Sequence, residues 1–106
     1  MITVEKGNTI MEGIDNMINA MQQDYSKCSY ATGTKDYEIK PGKKYIKVIE
    51  KRGSVSCFVV NTKDDKKFKY GDVLKPVSWS TPARNKARGN VLVGGYPIQW
   101  TGPLYL

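Results

Sequence analysis

The chain has 106 residues, with 17 Lys or Arg, 10 Asp or Glu and no histidine. Its length supports one domain with a modest core that needs no disulfide or metal, and leaves no room for a large enzyme cleft. Without histidine, Ser–His–Asp and Cys–His catalysis are impossible, and two cysteines without metal-ligand spacing exclude a zinc finger or ribbon.

The charge is uneven. Residues 1–38 carry three lysines and six acids, a net of −3, whereas residues 39–106 carry fourteen cations and four acids, a net of +10. An acidic front on a basic body points to a surface that faces a polyanion; the alternative is a solvated face that serves solubility. No apolar run approaches a membrane span and the N-terminus lacks the apolar centre of a signal peptide. The expected location is therefore the cytoplasm, with no membrane partner.

Residues 1–8 are short and mixed and read as a frayed arm. Thr9-Ile-Met-Glu12 matches a capping box, and apolar residues recur at Ile10, Ile14, Met17, Ile18, Met21 and Tyr25. This spacing predicts an amphipathic helix over about residues 9–25, with its apolar stripe packed on its own domain. Residues 26–42 read as a loop, interrupted by a brief strand at Asp36–Ile39 and a Pro41-Gly42 turn; Cys28 lies in its polar part. Lys43–Lys51 alternates as a strand, with Ile46 and Val48 on one face and Tyr45, Lys47, Ile49 and Lys51 on the other. Arg52-Gly53 signals a hairpin. Ser54–Asn61 is apolar on both faces and should be the central strand, with Cys57 as a small buried hydrophobe.

Lys67–Asn90 holds most of the functional information. Lys67, Phe68, Lys69 and Tyr70 alternate, Gly71-Asp72 is a turn, and Val73-Leu74 resumes a strand that ends or lies at an edge by Pro76. Ser80 or Thr81 before Pro82 predicts a short helical turn stopping at Gly89, with Arg84 and Arg88 on one face and Lys86 elsewhere. As an exposed cation pair, Arg84 and Arg88 are expected to tolerate alanine with a melting change of only about a degree or two. Val91–Val93 and Tyr96–Trp100 flank Gly94-Gly95 as a hairpin, with Pro97 at an edge. Thr101–Leu106 is apolar and is placed against the body of the domain or a neighbouring subunit.

Several short strands with tight turns expose edges unless they close. The expected fold is mainly β: one domain over residues 1–106, with a helix at about 9–25, a loop at 26–42 and a small, strongly bent five-stranded β-barrel at 43–106. A flat sheet with the helix on one face is the alternative.

No residue pattern points to a reaction, a metal or a cofactor, so a non-enzymatic binding module is expected. Asp64-Asp65 sits among lysines, but a single turn supplies too few ligands for a hard cation and reads as solvated. The positive signal is Lys and Arg interleaved with aromatics, since cations neutralise phosphates and exposed rings stack on bases. The candidates for nucleic-acid contact are Lys43, Lys44, Lys47, Lys75, Trp79, Arg84, Lys86 and Arg88. Alternation can equally bury the rings, Phe68 above all.

KYIKV (Lys44–Val48), CFV (Cys57–Val59), GDVLKPVSW (Gly71–Trp79), TPAR (Thr81–Arg84) and ARGN (Ala87–Asn90) resemble a family of small uncharacterised proteins from tailed bacteriophages. The resemblance implies a phage setting, and thus the host cytoplasm, without implying a particular chemistry. Arg88-Gly89-Asn90-Val91-Leu92 is similar to the second signature of Sm-like proteins, whose spaced Gly, Asp and Asn signature has no counterpart here. That resemblance implies an N-terminal helix before a bent barrel of the Sm-like or SH3-like kind, and adds Asn90 as a candidate RNA contact. Two functions follow as expectations: binding of RNA or DNA, or a protein-interaction or self-assembly module. The second would use edges at Pro76 and Pro97 and pair with another copy or with a phage or host protein.

Overall fold

The apolar periodicity after Thr9 becomes helix α1, Ile10–Ser26, in the computed structural model, which describes residues 2–27, 36–51 and 53–103. The Thr9 hydroxyl accepts the Glu12 N–H at 3.1 Å and caps the helix. The other half of the expected capping box is replaced, because the Glu12 carboxylate accepts the Asn8 side-chain amide instead, at 3.5 Å. Gly13, Ile14, Met17, Ala20 and Met21 are turned inward. They meet Ile46, Val48, Cys57, Val59 and Val73 across the principal core. The Cys57 thiol sits 3.9 Å from the Met17 sulfur, and burial pushes its pKa up to about 12, so it stays a protonated hydrophobe. Cys28 and the Arg52 half of the hairpin signal lie outside the described residues.

Five strands form an antiparallel meander against this helix: β2 (Tyr37–Pro41), β3 (Tyr45–Glu50), β4 (Ser54–Val60), β5 (Asp72–Leu74) and β6 (Gly89–Asn90). As its two apolar faces require, β4 is central. Its second face carries a smaller core of Phe58, Val60, Phe68 and Leu74. The alternation expected for β3 breaks at Ile49. Val48 pairs with Cys57 and Ile49 with Val55, so Ser56 is an extra residue on β4 and the bulge leaves Val48 and Ile49 both buried.

The expected closed barrel is not what forms. Among the described residues β2 and β6 are opposite edges of an open sheet, so the helix-on-one-face arrangement describes the molecule better. The cause is strand length: β5 has three residues and β6 two, too few to carry the sheet round to β2. The chain instead builds a second sheet, in the order β1-β7-β8, from β1 (Ile2–Thr3), β7 (Pro97–Gln99) and β8 (Gly102–Pro103).

That second sheet corrects two expectations. The N-terminal residues are no frayed arm, because Ile2 and Thr3 pair with Ile98 and Pro97. Val4 N–H donates to Tyr96 O, and Gly95 N–H donates to Val4 O. Nor do Val91–Val93 pair with β7 across Gly94-Gly95. Residues 91–93 form a turn, and β7 is the middle strand, which tolerates Pro97 at its first position. Gly94 and Gly95 take φ of +70° and +75°, the left-handed backbone that lets the chain double back here.

The helix comes unusually close to the turn after β6. A Cβ on Gly13 would lie 2.4 Å from Val91 O and 2.7 Å from Val91 Cβ. In a free helix alanine is favoured over glycine by about 1 kcal/mol. Here the sign reverses. Gly13→Ala is expected to destabilise the protein by about 1–3 kcal/mol through overpacking. Thermal melting monitored by circular dichroism should show a fall of about 4–8 °C per kcal/mol, whereas a rise would refute the close contact.

Candidate polyanion-binding face

The sheet surface opposite α1 gathers cations over aromatic rings. Lys40, Lys47, Phe58 and Leu74 are in register across β2, β3, β4 and β5, so their side chains share this face. Lys47 Nζ lies 5.9 Å from the Phe58 ring centroid and 4.6 Å from that of Trp79. Lys44 sits over Tyr45 at 5.7 Å, and Lys67 and the Arg84 guanidinium sit over Phe68 at 5.5 and 4.9 Å. On the other side of the sheet, α1 carries Glu12, Asp15 and Asp24 and no Lys or Arg. The helix side of the sheet thus has no helical cations, whereas the opposite face carries Lys40 and Lys47 from the strands beside the acids Glu38 and Asp65.

A concavity of about 510 Å³ opens at the corner of this face, lined by Lys43, Lys44, Thr62, Asp64, Asp65, Lys66 and Arg84. Asn61 builds the corner: its N–H donates to Lys44 O at 2.8 Å and its side-chain amide to Gly42 O at 2.7 Å. At the other margin Val77 and Ser78 N–H groups both donate to Thr81 O, closing a tight turn. That turn holds Val77 70% exposed and Trp79 50% exposed.

Residues 82–88 do not form the expected helical turn. Pro82 bridges to Pro76, Ala83 N–H donates to Lys75 O at 2.7 Å and Arg88 N–H donates to Val73 O at 2.7 Å. These backbone groups bond sideways to the chain at β5, so no helix repeat exists to put Arg84 and Arg88 on one face. The two arginines part company. Arg84 makes a bidentate pair with Asp65, both contacts 2.9 Å, and also donates to the Tyr45 hydroxyl. The Asp65 side chain is 1% exposed, screened by these partners at the edge of the fold, and its Oδ1 also accepts Lys67 and Phe68 N–H groups. Arg88 is 5% exposed.

The nine residues singled out in the sequence are therefore divided. Lys43, Lys44, Lys47, Trp79 and Arg84 are gathered on or around the basic face, and Lys86 is exposed on the nearby connection. The remaining three turn inward. Lys75 donates to Pro103 O at 2.5 Å, and burial, with the Arg88 charge, lowers its pKa. The Asn90 amide donates to Tyr70 O and Asp72 Oδ1, while its Oδ1 accepts Leu92 N–H, so it fastens the Gly71-Asp72 turn. Sequence reasoning missed Lys40 and Lys66, and saw Lys67 in the Lys–aromatic alternation without adding it to the candidates. The strand parity of β2 could have found Lys40, and the alternation with Phe68 points to Lys67; Lys66 is placed only by the turn that the Asp65 bonds hold. Among the described residues no three acidic or thiol groups gather to hold a metal ion.

The Arg84 clasp changes what substitution should do. Arg84→Ala with Arg88→Ala removes an ion pair and a buried side chain, so it is expected to melt many degrees lower rather than stay nearly unchanged. The pH dependence isolates the clasp. Hydrogen bonds from Arg84, then from Phe68 and Lys67 N–H, hold the Asp65 carboxyl well below the usual carboxylate range. A depressed folded-state pKa contributes stability above the unfolded value of about 4 and loses it as pH falls through the folded value. Asp65→Asn should accordingly melt below the parent protein at neutral pH, with the gap shrinking at acidic pH. Melting curves across that range test this; a gap that is constant with pH would remove the ion pair as the cause.

Neither the curated proteins nor the solved structures include a match to the chain. Residues 4–103 match the Family of unknown function (DUF7717). That span takes in the helix, the five-stranded sheet, β7, β8 and the whole basic face, and the chain belongs to this family.

Proposed function

We propose that this protein is a non-catalytic nucleic-acid-binding module that uses the sheet face opposite α1. The observation that carries the proposal is the separation of charge by the sheet, with Lys44, Lys47, Lys67 and Arg84 set over aromatic rings on one side and a helix without cations on the other. Cations resting on rings are partly stripped of water yet keep their charge outward, which suits them to phosphate oxygens. Lys43, Lys44 and Lys66 around the corner concavity would follow a backbone, and half-exposed Trp79 would stack on a base at the margin. Arg84 supports this surface through Asp65 and is not its principal phosphate contact. A phage setting, implied by the KYIKV and GDVLKPVSW resemblance, suits such a module.

Fluorescence polarisation with labelled single- and double-stranded oligonucleotides at two or more salt concentrations tests the reading. Affinity should fall linearly with salt on logarithmic axes. Replacing Lys43, Lys44 and Lys47 together by Gln should lower the slope by about 3, one per lost phosphate contact. Lys6→Gln with Lys27→Gln, outside this face, should leave the slope nearly unchanged. Absence of binding at low salt sinks the proposal, and equal losses in both variants would reduce it to an effect of net charge.

A further inference from the structure

Among the described residues strand β2 is an edge of the five-stranded sheet. Lys51 N–H donates to Asp36 O and Gly42 N–H donates to Tyr45 O, both at 2.9 Å. These bonds bracket the register that pairs Tyr37 with Glu50 and Pro41 with Ile46. Antiparallel ladders alternate, so Asp36, Glu38, Lys40 and Gly42 turn their backbone groups toward β3. Tyr37, Ile39 and Pro41 turn theirs away, and no other described residue bonds the outward groups of Tyr37 and Ile39. Their side chains, meanwhile, pack toward the helix side, where the Tyr37 hydroxyl donates to Trp100 O at 2.8 Å. Glu38 and Lys40 stand on the opposite, outer side as an exposed ion pair at 3.8 Å, with side chains 48% and 57% exposed.

We propose that β2 pairs antiparallel with β2 of a second copy of this chain, with Ile39 on the two-fold axis. In that register the two Ile39 residues exchange N–H···O bonds, and Tyr37 N–H of each copy meets the Pro41 carbonyl of the other. Glu38 of each copy then faces Lys40 of the other, an attractive cross-strand pair made twice, and the dimer exchanges the ion pair within each copy for these pairs between copies. Shifting by two residues in either direction sets Glu38 against Glu38 or Lys40 against Lys40. The first of these also sets Asp36 opposite Lys40, so the Ile39-centred register is distinguished as the one that pairs Glu38 with Lys40 and has no like charges on the axis. Pro41 has no N–H, so the ladder gains nothing beyond it, and because the two-fold contact uses the same edge of both copies, this pairing closes as a dimer. The product joins two five-stranded sheets into one whose outer faces are continuous. The contact is short, so the dimer is weak and concentration-dependent. This inference does not depend on the nucleic-acid reading, which concerns the sheet face and not its edge.

Sedimentation velocity on the full chain, from micromolar to millimolar concentration, tests the proposal. The parent protein should show a monomer–dimer equilibrium. Glu38→Lys alone and Lys40→Glu alone should each weaken the dimer by about tenfold or more, because two attractive pairs become repulsive. An equimolar mixture of these two variants should restore the dimer, since the two lysines of one chain then face the two carboxylates of the other. The chain carrying both changes should also dimerise. Circular dichroism on each variant confirms that the exposed substitutions leave the fold intact. A monomer throughout, a dimer indifferent to these charges, or singles that the mixture does not rescue overturns the proposal and leaves the edge to another protein.

Discussion

Strand β4 must be covered on both sides, because Cys57 and Val59 point one way and Phe58 and Val60 the other. An apolar strand exposed on either face would present an aggregation surface. One cover is conventional: α1 lays Ile14, Met17 and Met21 on the Cys57 side. On the Phe58 side there is no helix among the described residues. There the chain uses Phe68, the loop before it and the extended segment after Pro76, and those irregular pieces carry Lys63, Lys66, Lys67, Arg84 and Lys86.

This second cover explains why cations, aromatics and an internal ion pair occur together. Irregular segments cannot satisfy their own backbone groups, so side chains do it for them. Asp65 accepts two backbone N–H groups of the turn and then needs a cation; Arg84 supplies it with its guanidinium 4.9 Å from the Phe68 ring centroid. Lys67 reaches the Arg84 carbonyl at 2.6 Å from the other side. The layer is held by these polar contacts together with the apolar contacts of Phe58, Val60, Phe68 and Leu74. A face built this way presents positive charge outward as a by-product of its own assembly, and nucleic-acid binding would exploit a surface that the fold already requires.

The second sheet plays the same part at the ends of the chain. Asp24 accepts the Trp100 N–H at 3.0 Å, and Tyr25 meets the Trp100 ring edge-on at 5.4 Å, so the last turn of α1 is tied to the β7–β8 connection. Gly102, at φ +129°, passes so close to Ser56 O that a Cβ would lie 2.4 Å from it. The β8 strand therefore packs closely against β4 at the extra residue Ser56.

Local pattern was enough for helix α1, its Thr9 cap, the centrality of β4, the burial of Cys57 and Phe68 and the overall charge split, because each follows from periodicity or composition within a few residues. It also brought Lys43, Lys44 and Lys47 into view, since turn and strand parity place them outward. What it left open depended on partners far along the chain. Ile2 and Thr3 are strand only because Pro97 and Ile98 are there to receive them. Residues 82–88 look helical in isolation, yet Lys75 and Val73 carbonyls draw their N–H groups aside. Arg84 and Arg88 are alike in sequence, and tertiary structure alone separates them: one finds Asp65 nineteen residues away, the other is enclosed. Whether the sheet closed was likewise settled by long-range pairing, because a two-residue β6 can complete a ladder with β5 but cannot reach the far edge at β2.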